Sequence, residues 1–237
     1  MGTAPLHAVL FDFSGTLFRL EAKPSWSRLF VDADGTPMDD AHRAEIMRRV
    51  TAPVGRSVPM EGDDAYAWEN RDLDPALHRR AYQHVLAHSG IADATARDEL
   101  YGLLVDPDGW TPYPDTGDVL REVHEKGMRT AVLSNIAFDP RPAFAERGWD
   151  RWVDTFVLSF QVGAVKPDLR IFEIALDRLG ADPQRTLMVG DSEEADGAAA
   201  ALGVTVTLVE PLPTAERPHA LVDAVRPYLQ NASASPD

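Results

Sequence analysis

Apolar residues fall into two rhythms along this chain. Near its start the run His7-Ala8-Val9-Leu10-Phe11-Asp12-Phe13 breaks at Ser14-Gly15-Thr16. A short continuous apolar run that meets a glycine turn predicts a buried strand. From about Pro24 to Pro112 such runs vanish, and helical spacing predicts helices near Met38–Val50, Pro75–His88 and Ala92–Val105. Asp39, Asp74 and Asp93 stand near their starts as N-caps, and the loops between them, such as Thr51–Pro59, hold Pro and Gly. After Tyr113-Pro114 strand and helix alternate. Helices are expected at Val119–Lys126 (stopped by Gly127), Pro142–Arg147, Leu169–Leu179 (closed by Gly180), Glu193–Leu202 (closed by Gly203) and Ala220–Leu229. Strands are expected at Arg129–Ser134, Thr155–Phe160, Thr186–Gly190 and Val204–Val209.

Repeated strand–helix units imply a parallel sheet covered on both faces. The fold class is therefore α/β, with a helical subdomain inserted after the first strand. Residues 1–20 and 113–230 form the core, 21–112 the insertion, and 231–237 a disordered tail. The absence of any basic segment followed by a long apolar run, and of any apolar stretch of spanning length, points to a soluble cytoplasmic protein without a membrane partner. A formal net charge of -15 argues against nucleic acid and anionic membranes as partners and leaves a small-molecule substrate, held by a local basic pocket if anionic. With no cysteine, disulfides, thiolate metal sites and thiol nucleophiles are excluded.

In open parallel sheets ligands bind at the carboxyl ends of the strands. Four such ends carry chemistry. Asp12-Phe13-Ser14-Gly15-Thr16 places a poorly solvated carboxylate before a turn in which Gly15 lets backbone approach a ligand. Val132-Leu133-Ser134-Asn135 offers a hydroxyl that fits a phosphate oxygen or equally a turn. Val165-Lys166-Pro167-Asp168 offers one of only three lysines in the chain, restricted to extended backbone by Pro167. A compact cation between carboxylates neutralises their repulsion and attracts an anion. Gly190-Asp191-Ser192-Glu193-Glu194-Ala195-Asp196 fits a helix N-cap, and equally a pair of carboxylates sharing one hard cation.

Taken in order, these segments resemble the four motifs of the haloacid dehalogenase-like superfamily: an Asp-led loop, a Ser or Thr, a Lys, and a Gly-Asp acidic motif. The resemblance covers His7 to about Val209, and the insertion occupies the place of that family's helical cap. It implies a Rossmann-like parallel sheet with an inserted α-helical cap, and a hydrolase in which Asp12 attacks and forms a covalent aspartyl intermediate. It further implies that Ser134 and Lys166 hold the transferring group. Mg²⁺ would lie on Asp12, Asp191 and the Ser14 carbonyl, with Asp196 supporting it directly or through water.

Position 14 departs from the pattern. Typical phosphatases of the family carry a second Asp there as acid and base, and a Ser hydroxyl cannot ionise usefully near neutral pH. General acid–base help is worth about 10²–10⁴-fold. Three readings follow: a phosphatase or phosphotransferase that uses good leaving groups or another base; a carbon–halogen or carbon–phosphorus hydrolase; or a catalytically impaired ligand-binding protein. Asn135 and Arg56 are further candidates for substrate contact, Arg56 because a guanidinium in the loop Val54–Pro59 could bind an anionic group. Trp26, Trp68 and Tyr66 read as core of the insertion, and His84 and His88 as surface residues on one helical face.

Overall fold

The computed structural model describes residues 5–32, 34–51 and 57–229. Arg56 and the 231–237 tail lie outside them. The elements, in chain order, are β1 (Ala8–Phe11), β2 (Phe18–Leu20), α1 (Asp40–Thr51), α2 (Gly62–Glu69), α3 (Pro75–His88), α4 (Ala94–Val105), β3 (Trp110–Pro112), α5 (Thr116–Glu125), β4 (Arg129–Ser134), α6 (Arg141–Ala145), β5 (Thr155–Leu158), α7 (Ser159–Val162), α8 (Leu169–Leu179), β6 (Thr186–Gly190), β7 (Thr205–Leu208) and α9 (Ala220–Leu229).

Five strands pair in parallel in the order β5-β4-β1-β6-β7. β1 is central and all four of its residues are fully buried, which is why its sequence is continuously apolar rather than alternating. Its side chains still point to opposite faces. Val9 and Phe11 join one apolar layer with Val119, Val123, Leu221 and Val225 of α5 and α9. Ala8 and Leu10 join the other, with Ile171, Phe172 and Ala175 of α8. The fold class is thus the expected Rossmann-like α/β arrangement.

The helices α1–α4 leave and re-enter this core through one antiparallel ribbon, in which Phe18 of β2 faces Pro112 of β3 and Leu20 faces Trp110. Sequence periodicity gave no sign of the ribbon, since three residues per strand are too few to show a period of two. Nor did it show α2, whose eight residues bury only Ala67 and Trp68. The caps behave as expected. Asp74 accepts from Ala76 N (2.6 Å), Asp93 from Ala96 N (2.6 Å) and Asp39 from His42 N (2.8 Å). The expected α-helix at Glu193–Leu202 is replaced by turns and a 3₁₀ stretch at Gly197–Leu202, because the Asp196 carboxylate folds back onto the amides of Asp191 and Ser192. Trp26 and Trp68 are buried, but Tyr66 is 60% exposed and so is not core. His84 is half-buried, within 3.1 Å of Asp64, and only His88 is a surface residue.

Candidate functional site

Parallel strands deliver their carboxyl ends to one edge of the sheet, and that edge gathers the residues singled out in the sequence. Asp12 follows β1, Ser134 ends β4, Asp191 follows β6, and the loop after α7 returns Lys166 between them. Lys166 Nζ donates to Asp12 Oδ1 at 2.6 Å and to Asp196 Oδ1 at 2.5 Å, with all three side chains buried. An isolated carboxylate here would be costly to ionise. Burial does raise the Asp12 carboxyl, to about 6, while Lys166 pulls it down. For Lys166, burial works against the charge, but Asp12 and Asp196 outweigh it and raise the ammonium. The result is a charged lysine clamped between two carboxylates, one of them the candidate nucleophile.

Asp191 is pushed up to about 7 by burial and by the like charges of Asp12 and Asp196. Ligand atoms of these three residues lie within 4.8 Å of one another. A hard divalent cation fits this donor set, which is all oxygen and electrostatically frustrated without one. The three carboxylates are not equivalent, however. Asp196 Oδ1 is taken by Lys166, and its Oδ2 accepts from Asp191 N and Ser192 N, both at 3.0 Å. Asp12 and Asp191 are therefore the better direct ligands, and Asp196 is fitted to hold the frame around them.

Two glycines permit this crowding. Gly15 sits at φ +76°, and a β-carbon on it would overlap the Asp191 carboxylate. A β-carbon on Gly190 would overlap the Asp196 carboxylate. Asn135 lines the same cavity and also bonds the Lys166 backbone: its Oδ1 accepts from Lys166 N (2.7 Å) and its Nδ2 donates to Lys166 O (2.8 Å). These two bonds orient Lys166. Ser134 and Ser14 border the same cavity as Asp12.

Arg217 was not legible from the sequence. It is 3% exposed, donates to Gly15 O (2.7 Å), Glu210 O (3.0 Å) and Thr16 O, and stacks over Tyr113 at 3.1 Å. It thereby fastens the loop after Asp12 from a point some two hundred residues downstream. No local pattern in Glu216-Arg217-Pro218 marks it, since its partners are backbone carbonyls of another segment.

A cavity of about 400 Å³ lies over these strand ends. The helical segment between β2 and β3 supplies its other wall, including Arg48, Arg71, Asp72, His78 and Tyr82. The sequence reading missed all five and named Arg56 instead. The polar run Asn70-Arg71-Asp72-Leu73-Asp74 was the available signal, but a run of charges ahead of a helix cap ordinarily marks solvated surface. Burial holds the His78 imidazole neutral, pulling it down to about 3, and Arg71 adds to the effect.

A family model for haloacid dehalogenase-like hydrolases matches residues 6–203. A glyceraldehyde 3-phosphate phosphatase of Methanothermobacter thermautotrophicus is 29% identical over 226 residues, covering 90% of each chain. A pyrimidine 5′-nucleotidase of Escherichia coli is 30% identical, covering 79% of this chain and 78% of its own. The L-2-haloacid dehalogenase of Xanthobacter autotrophicus shares the fold with a TM-score of 0.63 at 21% identity, over 95% of this chain and 86% of that one.

Proposed function

The chain belongs to the haloacid dehalogenase-like hydrolase family, and from that premise we propose that it is a phosphatase of a small phosphorylated metabolite, with Asp12 as nucleophile and Mg²⁺ as cofactor. The observation that carries this reading is the cluster of Asp12, Lys166, Asp191 and Asp196 lining one cavity. A carboxylate that must attack a phosphate dianion faces repulsion, and positive charge placed beside it is what permits the approach. The naming of relatives across most of the chain as phosphatases of small phosphate esters supports the same class.

In this reading an Asp12 oxygen attacks phosphorus, the ester oxygen departs, and water then cleaves the aspartyl-phosphate. Lys166 and the Ser134 hydroxyl bind the non-bridging oxygens. Asp12 and Asp191, with the Ser14 carbonyl, would hold Mg²⁺, which supplies charge neutralisation to the phosphoryl group. Asp196 orients Lys166 and the turn after β6. The helices between β2 and β3 serve as the cap, with residues 1–20 and 113–230 as the core and 21–112 as the cap domain. A carbon–halogen hydrolase displaces halide without a phosphoryl charge to neutralise, so a three-carboxylate cluster suited to a divalent cation favours the phosphatase reading. A Schiff base from the cap is likewise disfavoured: Lys23, its one lysine, donates to Asp108 O at 2.5 Å.

Rapid-quench mixing with p-nitrophenyl phosphate and Mg²⁺ tests the proposal. Acid-stable, hydroxylamine-sensitive phosphate should appear on the native protein and be missing from Asp12→Asn, which is nearly isosteric and should keep the native far-UV spectrum. Equal turnover by a carefully purified Asp12→Asn protein would sink the catalytic assignment.

A further inference from the structure

Position 14 has no carboxylate, yet one stands across the cavity. Asp72 belongs to the segment joining α2 to α3, and its side chain, 18% exposed, faces the same cavity as Asp12, Ser134 and Lys166. Its backbone is fixed to the core. The Asp72 carbonyl accepts from Ser159 Oγ at 2.5 Å, and that buried hydroxyl in turn accepts from Ile136 N at 2.8 Å. Ile136 directly follows Ser134-Asn135, so one hydrogen-bond chain ties Asp72 to the loop that presents Ser134 and orients Lys166. Burial raises the Asp72 carboxyl, while the charges of Arg71 and Lys166 pull it down.

Arg71 is the neighbour that could give Asp72 a purely structural role. Its Nε lies 3.6 Å from Asp72 Oδ2, too long for a hydrogen bond, while its guanidinium packs 4.1 Å over Trp68 and donates to Trp68 O at 2.7 Å. Arg71 therefore pairs with Asp72 by charge and not by a hydrogen bond, and the Asp72 carboxylate still borders the cavity.

We propose that Asp72 is the general acid and base of both half-reactions, supplying from the cap what Ser14 cannot. This rests on Asp12 as the nucleophile. In the first half-reaction an Asp12 oxygen forms a bond to phosphorus, the phosphorus–ester oxygen bond breaks, and protonated Asp72 gives its proton to the departing alkoxide. In the second, the Asp72 carboxylate takes a proton from water as the water oxygen attacks phosphorus. The bond from phosphorus to Asp12 then breaks, and inorganic phosphate leaves with Asp72 again protonated. No other reactant is required.

The decisive readout is hydrolysis of the phosphoenzyme, because that step does not depend on the leaving group. With the Mg²⁺-loaded protein and p-nitrophenyl phosphate, Asp72→Asn should still form phosphoenzyme in a burst. Its dephosphorylation should fall by about 10²–10⁴-fold, the range typical of general-base catalysis. With propyl phosphate, whose alkoxide needs a proton, formation should fall as well. Ser14→Asp added to Asp72→Asn should recover most of the loss, which a structural role for Asp72 would not allow. The native protein should form phosphoenzyme from both substrates, an arm that stands even if Asp72→Asn folds poorly. Dephosphorylation as fast in Asp72→Asn as in the native protein overturns the proposal. So does native phosphoenzyme that forms from p-nitrophenyl phosphate but never from propyl phosphate. Absence of phosphoenzyme from every protein would instead refute Asp12 as nucleophile, and the role of Asp72 with it.

Discussion

Asp196 shows how closely single residues are matched at this site. Its two oxygens serve three donors, Lys166 Nζ and the amides of Asp191 and Ser192, and it can do so only because Gly190 has no side chain. Gly190→Ala would push its β-carbon into that carboxylate. Overpacking of a tight core typically costs about 1–3 kcal/mol, but the functional damage should be larger, since Lys166 would lose one of its two anchors. We expect a small fall in the thermal midpoint together with loss of most phosphoenzyme formation. A variant with native kinetics would show that Asp196 does not position Lys166. Asp12, Ser134 and Asp191 were legible as candidates because each stands at the end of a recognisable strand, and Lys166 because it precedes α8 at the expected place in the order. Asp72 and Arg217 were not. Each acts through space on residues far along the chain, and sequence spacing carries no such information.

Among the helices, α3 carries a titrating group into the interior of the helical segment between β2 and β3. His78 is buried, its Nδ1 3.1 Å from the Tyr101 hydroxyl and its ring against Tyr82. Its pKa is lowered to about 3 by burial, helped by Arg71. An unfolded histidine titrates near 6.5, so between about 6.5 and 3 the unfolded chain binds a proton that the folded chain refuses. The stability contributed by neutral His78 is therefore complete above about 6.5 and is lost as the pH falls. The slope approaches about 1.4 kcal/mol per pH unit for one proton. Urea unfolding of the native protein and of His78→Gln between pH 7.5 and 4.5 should show the two curves diverging in that window. Parallel curves would mean that His78 is not buried as a neutral ring. The helices flanking the sheet, α5, α8 and α9, were readable because each buries one regular stripe. The stretch after β6 was misread because helix propensity there yields to the bonds made by Asp196.

For the molecule as a whole, the charge balance makes metal binding a test of the site. The chain carries a net charge of -15, and no helix among the described residues is long and apolar enough to cross a membrane. At the strand ends Asp191 is raised to about 7, so below that pH a metal must displace its proton. Titration calorimetry with Mg²⁺ should therefore give clearly weaker binding at pH 5.5 than at pH 7.5, and Asp191→Ala should abolish binding at both. Unchanged affinity in Asp191→Ala would exclude this residue as a ligand. The same shift has a sign for stability. A carboxyl whose folded pKa is raised contributes stability below its unfolded value near 3.8 and loses it as the pH climbs through 7. Metal-free Asp191→Asn should therefore melt above the native protein at pH 8, and Mg²⁺ should reverse that order.

By itself the sequence determined the parallel sheet, the run of helices between its first strand and the rest, and the order of the four motifs. All of these rest on local periodicity and on spacing along the chain. Tertiary structure alone decided the rest. It brought Lys166 between Asp12 and Asp196, turned Asn135 onto the Lys166 backbone, and sent Arg217 back to the turn after Asp12. It also joined the helical segment to the core through the β2–β3 ribbon, and it placed Asp72, tied to Ser159, on the wall of the cavity that Asp12 lines. The physical reason is the same in each case. A buried charge or backbone carbonyl is satisfied by whichever donor folding brings near, and that donor need not be close in sequence.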